Sequence, residues 1–256
     1  MTRTGYVLAI ILALIFAQAQ YIVPGRPAAA AAGGITLGNL NYDGTGSSDT
    51  FRTISKPAGC SDGDVFVGFI TKDDDDAITP PTDTTHPWVE IDHQYTSTGD
   101  DLAVGAWYKI VTTCASETET DYTWTWSTAE ASIGAVQILS GVDTGTPEDV
   151  ANGYVFLQDD QSPEHTSITT NTNNALVFAM IGIGTINGIQ GDGTMTHPSG
   201  STEIVDESTD SGGGAHMAIA YFTQVTAGAT GVQEWVGVAE VNYDSHLFLM
   251  AFRPAS

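Results

Sequence analysis

The chain has 256 residues, 41% of them hydrophobic and 28 of them glycine, enough for one large β domain or two small ones around a real core. Seven Lys and Arg stand against 31 Asp and Glu, a formal net charge of −24. Such a surface repels phosphate backbones and anionic bilayers, which argues against nucleic acid as a partner and against membrane contact beyond any leader. The plain reading of this charge is solubility in salty water, and the sharper one is cation-dependent binding.

The first element is a targeting pattern. Arg3 precedes an apolar run, Tyr6 to Ala17, and Ala17-Gln18-Ala19 fits the small-x-small rule for cleavage before Gln20. Residues 1–19 are therefore predicted to be a signal peptide, because the run is short for a membrane span. The alternatives are an uncleaved anchor and a pilin-like leader cut after Gly5, although the glutamate typical of pilins is missing. Residues 20–34, with Pro24-Gly25-Arg26-Pro27, five alanines and Gly33-Gly34, read as a flexible tether.

From Ile35 onward, strand signals rich in β-branched and aromatic residues recur every ten or so residues between Gly, Asp, Asn, Thr and Pro clusters. Predicted strands cover 35–41, 50–55, 64–71, 88–95, 101–112, 121–127 and 131–140. A later set covers 166–170, 174–183, 201–205, 214–224, 232–240 and 246–253. Helix-favouring residues are scarce, and the one candidate helical turn is Pro147 to Val150. The later set repeats the earlier one at a separation of about 110 to 113 residues. Val65 to Ile70 lines up with Leu176 to Ile181, Glu90-Ile91 with Glu203-Ile204, Val104 to Tyr108 with Met217 to Tyr221, Ala129-Glu130 with Ala239-Glu240, and Ala135 to Leu139 with Leu247 to Ala251. The expected fold is all-β: a two-sheet antiparallel β-sandwich, jelly-roll-like, in one domain over 35–256. Its two pseudo-repeated halves, about 58–143 and 168–253, close their apolar faces on each other.

Gly63 to Val67, Trp88-Val89, Leu102 to Tyr108, Asp121 to Trp124, Ser140 to Asp143 and the terminal Phe252-Arg253-Pro254-Ala255 form a pattern that resembles tail-associated or virion-surface β-sandwich proteins of tailed phages and related environmental sequences. The resemblance covers about residues 35–256. It rests on turn and core features, and it implies a structural or adhesive role on a virion or cell surface. A leader of the secretory type fits a secreted or cell-surface protein sharing the domain.

The sharpest catalytic pattern is Trp88 to Tyr95. It resembles the Glu-Ile-Asp-x-(x)-Glu signature of jelly-roll β-glucanases, in which strand alternation sets the carboxylates on one sheet face. Glu90 and Asp92 match the first two acids, but Gln94 or Tyr95 stands at the acid/base position, and neither readily protonates a glycosidic oxygen. No nucleophile elbow and no phosphate-binding loop is present. The six histidines, His86, His93, His165, His197, His216 and His246, lack metal-site spacing and read as ordinary surface or edge residues. Cys60 and Cys114 permit one disulfide in an exported protein. The run Asp73 to Asp76 reads as a solvated loop, with Ca2+ as the alternative ligand.

Aromatic residues are numerous: Trp88, Tyr95, Trp107, Tyr122, Trp124, Trp126 and Trp235 either fill the core or offer stacking faces to sugar rings. The expectation is a non-catalytic exported or virion-surface module recognising a glycan or a surface protein, as a homo-oligomer or part of a larger assembly, with no cofactor. The alternatives are a glycan hydrolase using Glu90 and Asp92, and a filament subunit with an N-terminal apolar assembly helix.

Overall fold

Alternating side chains give each strand two faces, and the central strands here are covered on both. The computed structural model describes residues 34–97, 101–158, 160, 162–185, 195–209, 214–236 and 244–256. The predicted signal peptide and nearly all of the tether lie outside these residues. The first half forms β1 (Thr36–Ser55), β2 (Asp64–Asp73), β3 (Val89–Thr96), β4 (Leu102–Val111) and β5 (Asp121–Ser140). The second forms β6 (Glu148–Gln158), β7 (Glu164–His165), β8 (Ala175–Thr185), β9 (Thr202–Ser208), β10 (Gly214–Gln224), β11 (Gln233–Glu234) and β12 (Asp244–Phe252).

These strands make an antiparallel β-sandwich. One five-stranded sheet has the order β1-β5-β2-β4-β3 and the other the order β6-β12-β8-β10-β9, while β7 and β11 pair separately. The two orders are the same once β6, β8, β9, β10 and β12 are set against β1, β2, β3, β4 and β5. The registers agree as well. Val67 stands opposite Tyr108 as Phe178 stands opposite Tyr221. Glu90 faces Trp107 as Glu203 faces Ala220, and in both strands the next residue, Ile91 or Ile204, is the extra residue of a β-bulge. Each second strand is entered through a residue of positive φ, Gly63 (85°) and Asn174 (61°), the types that tolerate the left-handed region.

Four sequence expectations need correction. Residues 147–150 make no helical turn; Glu148 opens edge strand β6, because its partner β12 supplies the ladder that a short polar segment cannot supply for itself. Predicted strands 35–41 and 50–55 are one 20-residue strand, and 121–127 with 131–140 are another, paired along their length with bulges in place of breaks. In place of a strand over 166–170 there is β7 and a single bridge, Thr169 to Ala229. The last repeat pairing slips by one: Phe69 faces Ala135 and Met180 faces Phe248, so Ala135 corresponds to Phe248. That slip moves every side chain to the other face of the sheet.

The central core lies between the sheets. Val65, Val67 and Phe69 of β2 meet Phe178 and Met180 of β8, with Phe248 and Met250 of β12. The edges cross over, so that Tyr42 of β1 donates to Glu207 of β9 and Asn152 of β6 donates to Asp92 of β3. Each outer face has a further core under the connecting loops, around Trp107 and Trp124 on the first sheet and around Trp235 on the second. Strands covered on both faces read as continuous apolar runs, as β2 and β12 do.

Close approach at the centre of the sandwich requires glycine at 182. A Cβ there would lie 2.4 Å from Val104 Cγ2 and 2.7 Å from Thr71 Oγ1. Gly182→Ala is expected to cost about 1–3 kcal/mol through overpacking, measured as a lowered denaturant midpoint with an unchanged m-value.

Candidate functional site

Among the described residues, a dense set of reactive groups sits on the outward face of the first sheet. In β4, Leu102, Val104, Ala106 and Tyr108 point into the sandwich, so Lys109 points outward beside Trp107 and Val111. The chain after β2 folds back over this face, fixed by the bridge between Thr79 and Thr125 and by buried Ile78. That loop delivers Asp83 and His86. The loop after β4 delivers Glu117 from the end of a 3-10 turn, Cys114–Ser116. Cys114 is joined to Cys60 with a Cα separation of 5.9 Å, and its N–H donates to Asp62. Lys56 Nζ donates to the Glu117 carbonyl. The disulfide therefore holds the base of the loop that carries Glu117.

Lys109 Nζ donates to Asp83 Oδ2 and to Glu117 Oε1, both at 2.7 Å. The side chains of Lys109, Asp83 and Glu117 are 0%, 3% and 0% exposed, so the charges interact away from water, where attraction and the cost of desolvation are both large. Tyr122 Oη donates to Glu117 Oε1 at 2.8 Å, and His86 Nδ1 lies 2.8 Å from Oε2. Asp83 Oδ1 accepts from the backbone N–H of Thr85 (2.8 Å) and of His86 (3.0 Å). The ammonium lies over the rings of Trp88 and Tyr122.

Burial raises the Asp83 carboxyl, but bonds from Lys109 and the two backbone N–H groups outweigh it and hold the group below its ordinary range. Burial, then the bond to Glu117, raises the Tyr122 phenol far above its ordinary range. Donor atoms of Asp83, His86 and Glu117 lie within 4.8 Å of one another, a spacing that suits a cation, but the Lys109 ammonium already stands between the two carboxylates.

Sequence reasoning did not single out this cluster. The readable signal was a lysine in the apolar strand LAVGAWYKIV, in a chain with only seven basic residues. Reading the histidines as surface or edge residues also requires correction: His86, His165, His216 and His246 are buried. His86 and His216 lie against the carboxylates of Glu117 and Asp206, Trp235 donates to His165, and His246, on the inner face of β12, lies 2.9 Å from the Tyr154 hydroxyl.

The glucanase-like pair is not arranged as its signature demands. The bulge at Ile91 breaks the alternation between Glu90 and Asp92. Glu90 is exposed, while Asp92 accepts from Gln94, from the His93 N–H and from Asn152. The acidic run gathers round a buried ammonium: Lys72 donates to the carbonyls of Asp73 and Asp74, and Asp76 accepts from Ser127 and Thr128. Burial lowers the Lys72 amine, against the pull of the surrounding acids. Carboxylate oxygens of Asp74, Asp75 and Asp101 also approach one another within 4.8 Å. Of the seven aromatic residues considered for sugar stacking, Trp107, Tyr122, Trp124, Trp126 and Trp235 are buried and Trp88 is half-buried, which leaves Tyr95 at 58% exposure.

Comparison of the chain with family models, with curated proteins and with solved structures finds no match.

Proposed function

We propose that the protein is a non-catalytic exported or virion-surface module with a structural or adhesive role, engaging a glycan or a surface protein from its edges and loops. The observation that carries this reading is the state of its reactive groups. The densely placed ionisable groups of the first sheet, Lys109, Asp83, Glu117 and His86, are buried and bonded to one another beneath covering loops, and His165 and Trp235 are buried and bonded on the second sheet. A disulfide at the same loops favours an oxidising compartment. The abundant acidic groups suit a soluble exterior.

The test is a glycan-array screen of the purified mature protein with and without calcium, with N-terminal sequencing and release of reducing ends monitored alongside. The expected result is a mature chain beginning near Gln20 that binds saturably or assembles into particles and releases no sugar. Glycan cleavage abolished by Glu90→Gln or Asp92→Asn would overturn the proposal in favour of a hydrolase. Assembly that depends on a retained apolar N-terminus would do so in favour of a filament subunit.

A further inference from the structure

Four features of the buried cluster go beyond an ion pair. The Lys109 amine is 2.7 Å from Asp83 Oδ2, a separation at which nucleophile and acyl carbon are already near contact. The other oxygen of the same carboxyl, Oδ1, sits between two backbone N–H donors, the arrangement that stabilises a tetrahedral oxyanion. A second carboxylate, Glu117, touches the amine at 2.7 Å and has an oxygen within 4.8 Å of an Asp83 oxygen. It is held in place by Tyr122 and His86. Water is excluded: all three side chains are buried, and the ammonium lies over the rings of Trp88 and Tyr122.

The fold itself does not ask for this set. In the second sheet, where Phe222 pairs with Val177 as Lys109 pairs with Phe66, the same position is a hydrophobe packed on the outer core.

We propose that Lys109 and Asp83 condense into an intramolecular isopeptide bond, with Nζ of Lys109 joined to Cγ of Asp83 and Glu117 moving the protons. Glu117 takes a proton from the ammonium and delivers it to Asp83, giving a neutral amine beside a neutral acid, the protonation state in which the amine is a nucleophile and the carboxyl can lose water. The amine attacks Cγ, and the developing charge on Oδ1 rests on the N–H groups of Thr85 and His86. Glu117 then carries a second proton from the nitrogen to Oδ2. The Cγ–Oδ2 bond breaks, one water leaves, and Glu117 is regenerated. No oxidant or further reactant is needed. The product replaces two buried charges with an amide and ties the loop carrying Asp83 covalently to the middle of the first sheet. The inference is independent of what the module binds.

The experiment is peptide mapping of the full exported chain by mass spectrometry, after reduction and denaturation. The expected result is a branched peptide joining the segments that contain Lys109 and Asp83, lighter than their sum by one water. Lys109→Arg, which keeps the charge, is expected to give two separate peptides. Asp83→Asn is expected to give the same branched product as the native chain, with ammonia leaving in place of water. Glu117→Gln is expected to slow bond formation roughly 10²–10⁴-fold, the contribution of a positioned acid–base group. Separate full-mass Lys109 and Asp83 peptides from the folded native chain after prolonged incubation would overturn the proposal. So would a lighter branched product that persists in Lys109→Arg. Unchanged bond formation in Glu117→Gln would remove the role given to that residue.

Discussion

Measured against the native chain before Lys109 and Asp83 condense, Lys109→Met is expected to destabilise the folded protein by about 3–5 kcal/mol, the cost of breaking a buried ion pair by removing one partner. The methionine stem fills much of the lysine's volume, so the loss is not a cavity effect. It comes from leaving Asp83 and Glu117 beneath the loops with the ammonium gone. Removing all three charges together is a different experiment. Lys109→Met with Asp83→Leu and Glu117→Met is expected to recover most of the loss, because a well-packed apolar set of similar volume is often as stable as the ions it replaces. The second sheet already shows an apolar residue, Phe222, at the corresponding place. Urea unfolding of the single and triple variants under non-reducing conditions measures both. The partners share one network, so the effects are expected to be strongly non-additive. A single variant within about 0.5 kcal/mol of the native chain would mean that the cluster is solvated, since that is the range of ordinary surface changes.

Much of this architecture was legible because strand signals are local. The runs at 64–71, 101–112, 174–183 and 214–224 are apolar on both faces, and they became the central strands β2, β4, β8 and β10. The shared spacing of Val65 to Ile70 with Leu176 to Ile181 and of Glu90 with Glu203 survived into the registers. Strand β6 did not show, because an edge strand buries little of its own surface, and its Glu-Asp-Val-Ala-Asn-Gly start resembles a turn. The cluster was illegible for a different reason. Asp83, His86, Lys109 and Glu117 come from two loops and a strand, and only the fold-back of 74–88 over the outer face brings them together. The histidines misled for a related reason: the type is intermediate in burial, and neither a loop over the outer face nor the seat of His246 between the sheets shows in the residue type alone.

Acid is expected to unfold the protein over a window set by two of those histidines. His165 is fully covered, and its Nε2 accepts the indole N–H of Trp235 at 3.0 Å. Because indole can only donate, this nitrogen must be unprotonated. Burial accordingly pulls His165 down to about 3. His246 is pulled down to about 4, chiefly by burial, with Asp92 opposing and His93 assisting, and its Nδ1 lies 2.9 Å from the Tyr154 hydroxyl. Both folded values lie below the ordinary unfolded value of about 6.5. Between them and that value the unfolded chain binds more protons than the folded one, so stability is complete above pH ~6.5 and falls as the pH drops toward 4. Over that span the two groups together withdraw on the order of 5 kcal/mol, comparable with the whole stability of many domains. Glu130 and Glu148, raised by burial, act in the opposite sense, since their protonation favours the folded state. Being only partly buried, they offset a minor share. The measurement is urea unfolding at a series of pH values from 7 to 4. His165→Gln keeps an acceptor for Trp235 without a titrating proton, and its stability is expected to fall with pH by about one proton less than the native slope. Parallel slopes for the two chains would show that His165 takes up its proton as readily folded as unfolded, and that the Trp235 contact does not hold it neutral.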